Sequence, residues 1–154
     1  MPAIKYVKSE TIYKLMTEVF SKLDVPKDQA KICADVLIAS DLSGIESHGI
    51  GRLKMYYDRI KAEIQFSTTK IDVIKDFAAT AVWDGNHGMG KVISYRAMQE
   101  AIDKAKKFGI GCVTVRNSSH YGIAGFYPKM ATKQNMVGMS FTNARPSIAP
   151  LNGI

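Results

Sequence analysis

The segment SHGIGRLKMY places Ser47 and His48 ahead of Arg52 and Tyr56, with an imidazole, a guanidinium and a phenol at intervals of four. On a helix, positions four apart drift by only about 40° per step, so the three side chains can face one ligand. The planar fork of Arg52 can hold both oxygens of a carboxylate, and His48 can exchange a proton near neutral pH. Adding a hydride to a carbonyl leaves an alkoxide that needs a proton. An imidazolium at His48 can supply it, while the Ser47 hydroxyl orients the ring or relays the proton. This is the equipment for reducing a 2-oxo acid. Gly49 and Gly51 let backbone N–H groups approach an anion closely. The spacing alone fits a helix with a surface His and Arg equally well, so both readings stand at this point.

Two further stretches could carry chemistry. NSSHYGIAG, residues 117 to 125, lies between an apolar strand pattern and a helical one, where small residues can wrap a phosphate or a nicotinamide with backbone amides. His120 within it reads as a proton-transfer residue, a cofactor contact or a turn histidine. GNHGMGKV, residues 85 to 92, nearly matches a phosphate loop. Val92 stands where the magnesium-binding Ser or Thr belongs, so that reading fails. No G-x-G-x-x-G follows a strand, which removes support for an ordinary Rossmann domain.

The elements that must position these residues follow from periodicity. Ile12, Leu15, Met16, Val19, Phe20 and Leu23 predict an amphipathic helix over 9–23 with Ser9 as N-cap. A second helix runs from Pro26 to about Leu42 with Ala30, Cys33, Val36 and Leu37 on one face, and Gly44 ends it. A third follows SHGIG, anchored by Leu53, Tyr57, Ile60 and Ile64. KIDVIKDF and TAVWD alternate as the strands of a hairpin. A helix over 91–108 is closed by Gly109, and IGCVTV reads as a strand. Residues 123 to 134 read as a helix and MVGMSFT as another strand. The chain divides into a helical region, 1–68, and an incomplete α/β domain, 69–154.

Composition bounds the partners. The chain has 154 residues, 46% hydrophobic and 23% charged, enough for a core. The beginning of the chain lacks the apolar run of a signal peptide, and no window could span a membrane, so a soluble, cytoplasmic protein is expected. Cys33 and Cys112 have no metal or disulfide spacing and read as small buried apolar residues. The net charge of +7 raises a nucleic-acid reading. The lysines are scattered, however, and the densest cluster, Lys104, Lys106 and Lys107, reads as a solvated face late in a helix.

Taken together, DLSGIESHGIGRLKMYYDRIKAE (41–63), DGNHGMG (84–90), and NSSHYGIAGFYPKMA with NARPSIAP (117–150) resemble the malate/L-lactate dehydrogenase family of the non-Rossmann type, which includes sulfolactate and ureidoglycolate dehydrogenases and the piperideine/pyrroline-2-carboxylate reductases. The resemblance implies an α/β (α+β) chain in which a helical N-terminal region joins part of a mixed-sheet, non-Rossmann nicotinamide-binding domain, in a homodimer using NAD or NADP. By motif, Ser47 would belong to a relay, His48 would exchange the proton, and Arg52 and Tyr56 would hold a small 2-hydroxy or 2-oxo acid. His120 competes with His48 for the proton role. His120, Tyr121, Gly122, Ile123 and Ala124 would contact the cofactor, with Ala144 nearby; no metal, membrane or nucleic acid is implied. Glu63, Asn135 and Asn152 stand where family members often have glycine. The sequence stops just before an expected glycine-threonine-asparagine-proline segment, at less than half of an enzyme, and such a piece is expected to be silent alone. A non-catalytic interaction domain or, further off, a basic nucleic-acid binder are the alternatives.

Overall fold

The structure is a computed structural model and describes residues 6–143. Helix α1 (Ser9–Ser21) buries Met16 and Phe20 against α2 (Lys27–Leu42), which presents Ala30, Cys33, Ala34 and Leu37 in return. Ser9 is not the cap: extended Lys8 occupies that position, and its carbonyl accepts from the N–H groups of Thr11 and Ile12. Pro26 precedes the first turn of α2, where its missing N–H costs nothing, and Gly44 turns the chain away at φ 72°.

The helix expected after SHGIG forms, but His48 and Arg52 lie ahead of it. Two 3-10 turns, Glu46–His48 and Ile50–Arg52, come first, and helix α3 spans Leu53–Lys61. Asp41 is the cause. Its carboxylate accepts the Ile50 N–H at 2.8 Å and lies so close that a Cβ on Gly49 would fall 1.6 Å from Oδ1. Helix α3 then buries Tyr56, with Leu53 and Ile60 partly buried against the same core, while Tyr57 and Ile64 remain 43% and 67% exposed. Tyr56, read as a ligand-facing residue, is fully enclosed.

Strands β1 (Asp72–Asp76) and β2 (Thr80–Asp84) form the expected antiparallel hairpin, with a bulge between Val73 and Lys75. Helix α4 (Gly90–Phe108) crosses back, ends at Gly109 in the left-handed conformation, and delivers β3 (Cys112–Arg116) parallel to β2. The result is a mixed three-stranded sheet in the order β1-β2-β3, so the α/β class is as expected. Ala81 and Trp83 pack on Ala97 of α4 with Val113 and Val115.

Other expectations need correction. The helix over 123–134 is a 3-10 turn, Ala124–Phe126, followed by a short α5 (Pro128–Thr132), because Pro128 lacks the N–H that would continue a helix but suits its first turn. MVGMSFT pairs with no strand among the described residues. Its apolar side chains Val137 and Phe141 are 86% and 87% exposed, so the alternation is present and the neighbour that would make it a ladder is not. Cys33 is buried, as expected, but Cys112 is exposed on β3. Lys104 is not on a solvated face: its stem is enclosed, and its ammonium pairs with Asp76 and Glu100 and donates to the Phe77 carbonyl at 2.8 Å. No described helix is long and apolar enough to cross a membrane.

Candidate functional site

The site is assembled from two directions. On the helical side, the clasp of Asp41 on residues 49 and 50 holds the two 3-10 turns, and within them Ser47 Oγ lies 2.9 Å from His48 Nδ1. Arg52 folds back so that its Nε donates to the Ser47 carbonyl at 2.6 Å. The imidazole and the guanidinium therefore meet at Ser47, as the spacing suggested, although through 3-10 turns instead of helical phase.

On the sheet side, Asp84 ends β2 with its carboxylate accepting from Arg116 Nε, Asn117 Nδ2 and the Asn86 backbone N–H, all at about 2.9–3.1 Å. The bonds from Arg116 and the two asparagines hold that carboxyl below the usual carboxylate range, the Asn86 N–H most of all. This knot ties the turn after β2 to the turn after β3. Ser119 completes the tie: its hydroxyl donates to the Gly88 carbonyl at 2.7 Å and accepts from the Gly90 N–H at 2.9 Å. Gly90 must be a glycine for this, since a Cβ there would meet the Ser119 carbonyl at 2.1 Å.

The two halves then touch. The Tyr56 hydroxyl lies 2.7 Å from His120 Nδ1, and the His120 ring stacks on His48 with centroids 5.5 Å apart and planes 20° from parallel. Ser47, His48, Arg52, Tyr56 and His120 thus form one cluster. Partial burial first, then the positive charges of Lys91, His48, Arg59 and Arg52, push His120 down to about 4, so its imidazole is neutral at physiological pH. Every charged group acting on His120 is a cation. Burial raises the Tyr56 phenol above its ordinary value.

The remaining expected contacts divide. Tyr121 stacks on Tyr127 at 5.2 Å, accepts the Tyr127 hydroxyl at its carbonyl, and places its own hydroxyl 3.4 Å from Ser140. Gly122 sits at φ 85° with Val36 where a side chain would go, and Ile123 is buried; both face the core. Ala124 is exposed, and beside it Gly125 borders open space. Ala144 lies outside the described residues. Two clefts of about 490 and 500 Å³, one beside Phe77 and Lys104 and the other beside Tyr95 and Met130, do not include the histidine pair.

Four positioning residues escaped sequence reading: Asp41, Asp84, Lys91 and Ser119. Asp84 and Ser119 could have been suspected, because each ends or follows a strand beside a small-residue turn. Lys91 stood in the near phosphate loop 85–92 but gave no periodic signal, for the first turn of α4 is buried all round and has no polar face for a period to reveal.

Comparison with known proteins bears on this geometry. The malate/L-lactate dehydrogenase family matches residues 7–154. The chain is 46% identical to a malate dehydrogenase of Pyrococcus abyssi over 148 residues, covering 96% of this chain and 41% of that enzyme. It is 44% identical to an L-sulfolactate dehydrogenase of Methanocaldococcus jannaschii, covering 96% and 43% respectively. The solved malate dehydrogenase of Pyrococcus horikoshii OT3 superposes with a TM-score of 0.89 at 44% identity, over 99% of this chain and 46% of that one. The fold is that of the N-terminal part of a dehydrogenase. This chain belongs to the malate/L-lactate dehydrogenase family. It spans about two-fifths of the length of these curated relatives.

Proposed function

We propose that the chain supplies the acid-binding and proton-transfer side of a nicotinamide-dependent dehydrogenase that interconverts a small 2-oxo acid and its 2-hydroxy acid. The observation that supports this is the cluster in which His48, His120 and Arg52 converge while only cations act on His120. Such a field, in which no carboxylate among the described residues shifts His120, favours a small anion.

In this reading Arg52 leaves the Ser47 carbonyl to grip the substrate carboxylate, trading one hydrogen bond for a forked, charge-assisted pair. When bound, NAD or NADP in its reduced form supplies the hydride to the carbonyl carbon. The carbonyl oxygen takes its proton from His48, whose ring is held through Nδ1 by Ser47. His120, neutral at working pH, has no imidazolium proton to give, which favours His48 over it. Tyr56 is too enclosed to hold the substrate and serves to orient His120. In the reverse direction neutral His48 accepts the hydroxyl proton.

The loop from His120 to Ala124 carries the nicotinamide contact, through its exposed end at Ala124, with residues 1–68 as the acid-binding region and 69–154 as part of the cofactor domain. A homodimer in the cytoplasm, without nucleic acid or membrane as partner, completes the reading. The names of the relatives place malate and sulfolactate first among substrates to try.

Two experiments test this. Loss of nicotinamide absorbance, followed with a panel of 2-oxo acids and the whole protein, should show turnover that Arg52→Ala removes; no turnover with any acid and either cofactor overturns it. In the chain itself, adding oxaloacetate should shift the ring resonances of His48 and His120 but not those of His87.

A further inference from the structure

Lys91, the second residue of α4, has its Nζ fully enclosed with no hydrogen-bond partner among the described residues. It lies 2.9 Å from the centroid of the Tyr56 ring and 5.3 Å from that of Phe20. Facing it are Cys33 from α2, Tyr56 and Arg59 from α3, and His120 from the loop, with His48 and Arg52 beyond. None is a carboxylate. Cys33, the one group able to become an anion in an ordinary pH range, is pushed up to about 11 by burial. Among the described residues, the lysine therefore has aromatic faces and no carboxylate to stabilise its charge.

An unpaired buried ammonium is costly, and a methionine would fill the same space without that cost. What the lysine touches gives the reason for it. The ring under its nitrogen carries, at its far edge, the hydroxyl that meets His120 Nδ1. A cation over the face of a phenol withdraws electron density and makes its O–H the better donor.

We propose that Lys91 is a positioning residue for His120: seated on the Tyr56 ring, it fixes the Tyr56 hydroxyl as donor and His120 Nδ1 as acceptor, so that His120 keeps its proton on Nε2. His120 then presents an N–H to the oxygen of the substrate while His48 transfers the proton. The placement of a substrate there rests on the function proposed above; the tautomer does not. Burial lowers Lys91 to about 7, so the constraint is strongest below neutral pH and relaxes as the amine deprotonates.

Long-range proton–nitrogen NMR of the ¹⁵N-labelled chain reads this directly. The three histidines are assigned with His48→Gln and His87→Gln variants. The wild-type chain should show His120 protonated at Nε2 at pH 6. Lys91→Met should raise the His120 titration midpoint by roughly one pH unit and mix its tautomers. Tyr56→Phe should also mix them, and the double variant should add nothing further to the tautomer ratio. A proton on Nδ1 in the wild-type chain overturns the proposal, as does a folded Lys91→Met chain with unchanged His120. Should Lys91→Met fail to fold, the wild-type tautomer and its response to Tyr56→Phe decide alone. Failure of oxaloacetate to perturb the histidines would remove the proposed function and leave the tautomer result standing.

Discussion

Gly90→Ala puts two opposing effects in competition at one atom. Alanine is the better helix former, worth at most about 1 kcal/mol in favour of the variant. Against it, the new Cβ would lie 2.1 Å from the Ser119 carbonyl and 2.7 Å from that of His120, both backbone atoms that cannot swing aside alone. Relief requires the 118–121 loop to withdraw by about 1 Å, and overpacking of this kind costs about 1–3 kcal/mol. The same withdrawal breaks the Gly90 N–H bond to Ser119, worth about 1 kcal/mol more. The net is about 2 kcal/mol of destabilisation, a fall in Tm of roughly 4–8 °C for a chain of this size. The loop also carries His120, so its 2.7 Å contact with Tyr56 lengthens and the His120 titration moves up from about 4. Gly125→Ala is the control, since nothing lies within 4 Å of its Cβ position. Calorimetry of both variants, with histidine NMR, measures the effect. A Gly90→Ala chain as stable as Gly125→Ala, with His120 undisturbed, would refute the close approach on which the site depends.

Arg52→Lys should raise KM for the 2-oxo acid by about ten- to a hundredfold in the whole enzyme with a smaller change in kcat, because a point charge replaces a fork; steady-state kinetics checks it. Glu63 is held at φ 57°, so Glu63→Gly should stabilise by about 0.5–1 kcal/mol and raise Tm by roughly 1–4 °C in calorimetry. His120 titrates lower in the folded state than in the unfolded chain, so the unfolded state binds more protons between about pH 4 and 6.5, and stability falls as pH drops through that window. For a half-exposed ring the loss is about 1–2 kcal/mol after screening, seen as a shift in urea midpoint that His120→Gln reduces. Lys91 is likewise lowered, so its contribution makes stability rise with pH above about 7, while ionisation of Cys33 in the unfolded chain opposes the rise as pH nears 9; Lys91→Met should flatten the urea midpoint between about pH 7 and 8.

How far the sequence could be read depended on whether a local signal matched the force that decided the outcome. α2 and the later turns of α4 came through because each follows a helical period and ends at a residue with its own backbone preference, as Gly109 does at φ 81°, and the hairpin came through on its strand alternation although β1 stays largely exposed. In the 47–56 segment the helix begins only at Leu53, after two 3-10 turns, since the decisive contact is Asp41 on the backbone of 49 and 50, nine residues from Ile50. Tyr56 and Tyr57 are adjacent and alike, and only the turn offset introduced by the 3-10 steps selects which is enclosed. His120 could be named a candidate, but its partner Tyr56 is 64 residues distant and no period links them. Val137 and Phe141 alternate as a strand does, yet a ladder needs a neighbour, which alternation cannot supply. Glu63 and Asn135, where the resemblance led glycine to be expected, both adopt φ 57°, a left-handed conformation that costs local strain.

The fit of the Asp41 carboxylate into the space that a side chain on residue 49 would fill ties two distant codons together. Neither position can drift by itself: a larger residue at 49 needs a shorter one at 41, and a shorter one at 41 leaves the Ile50 N–H without its acceptor. Homologues should therefore keep or exchange the two residues as a pair, and an enzyme evolved for another acid would find it easier to vary the rim around Arg52 than to alter this hinge between the second helix and the turns that follow.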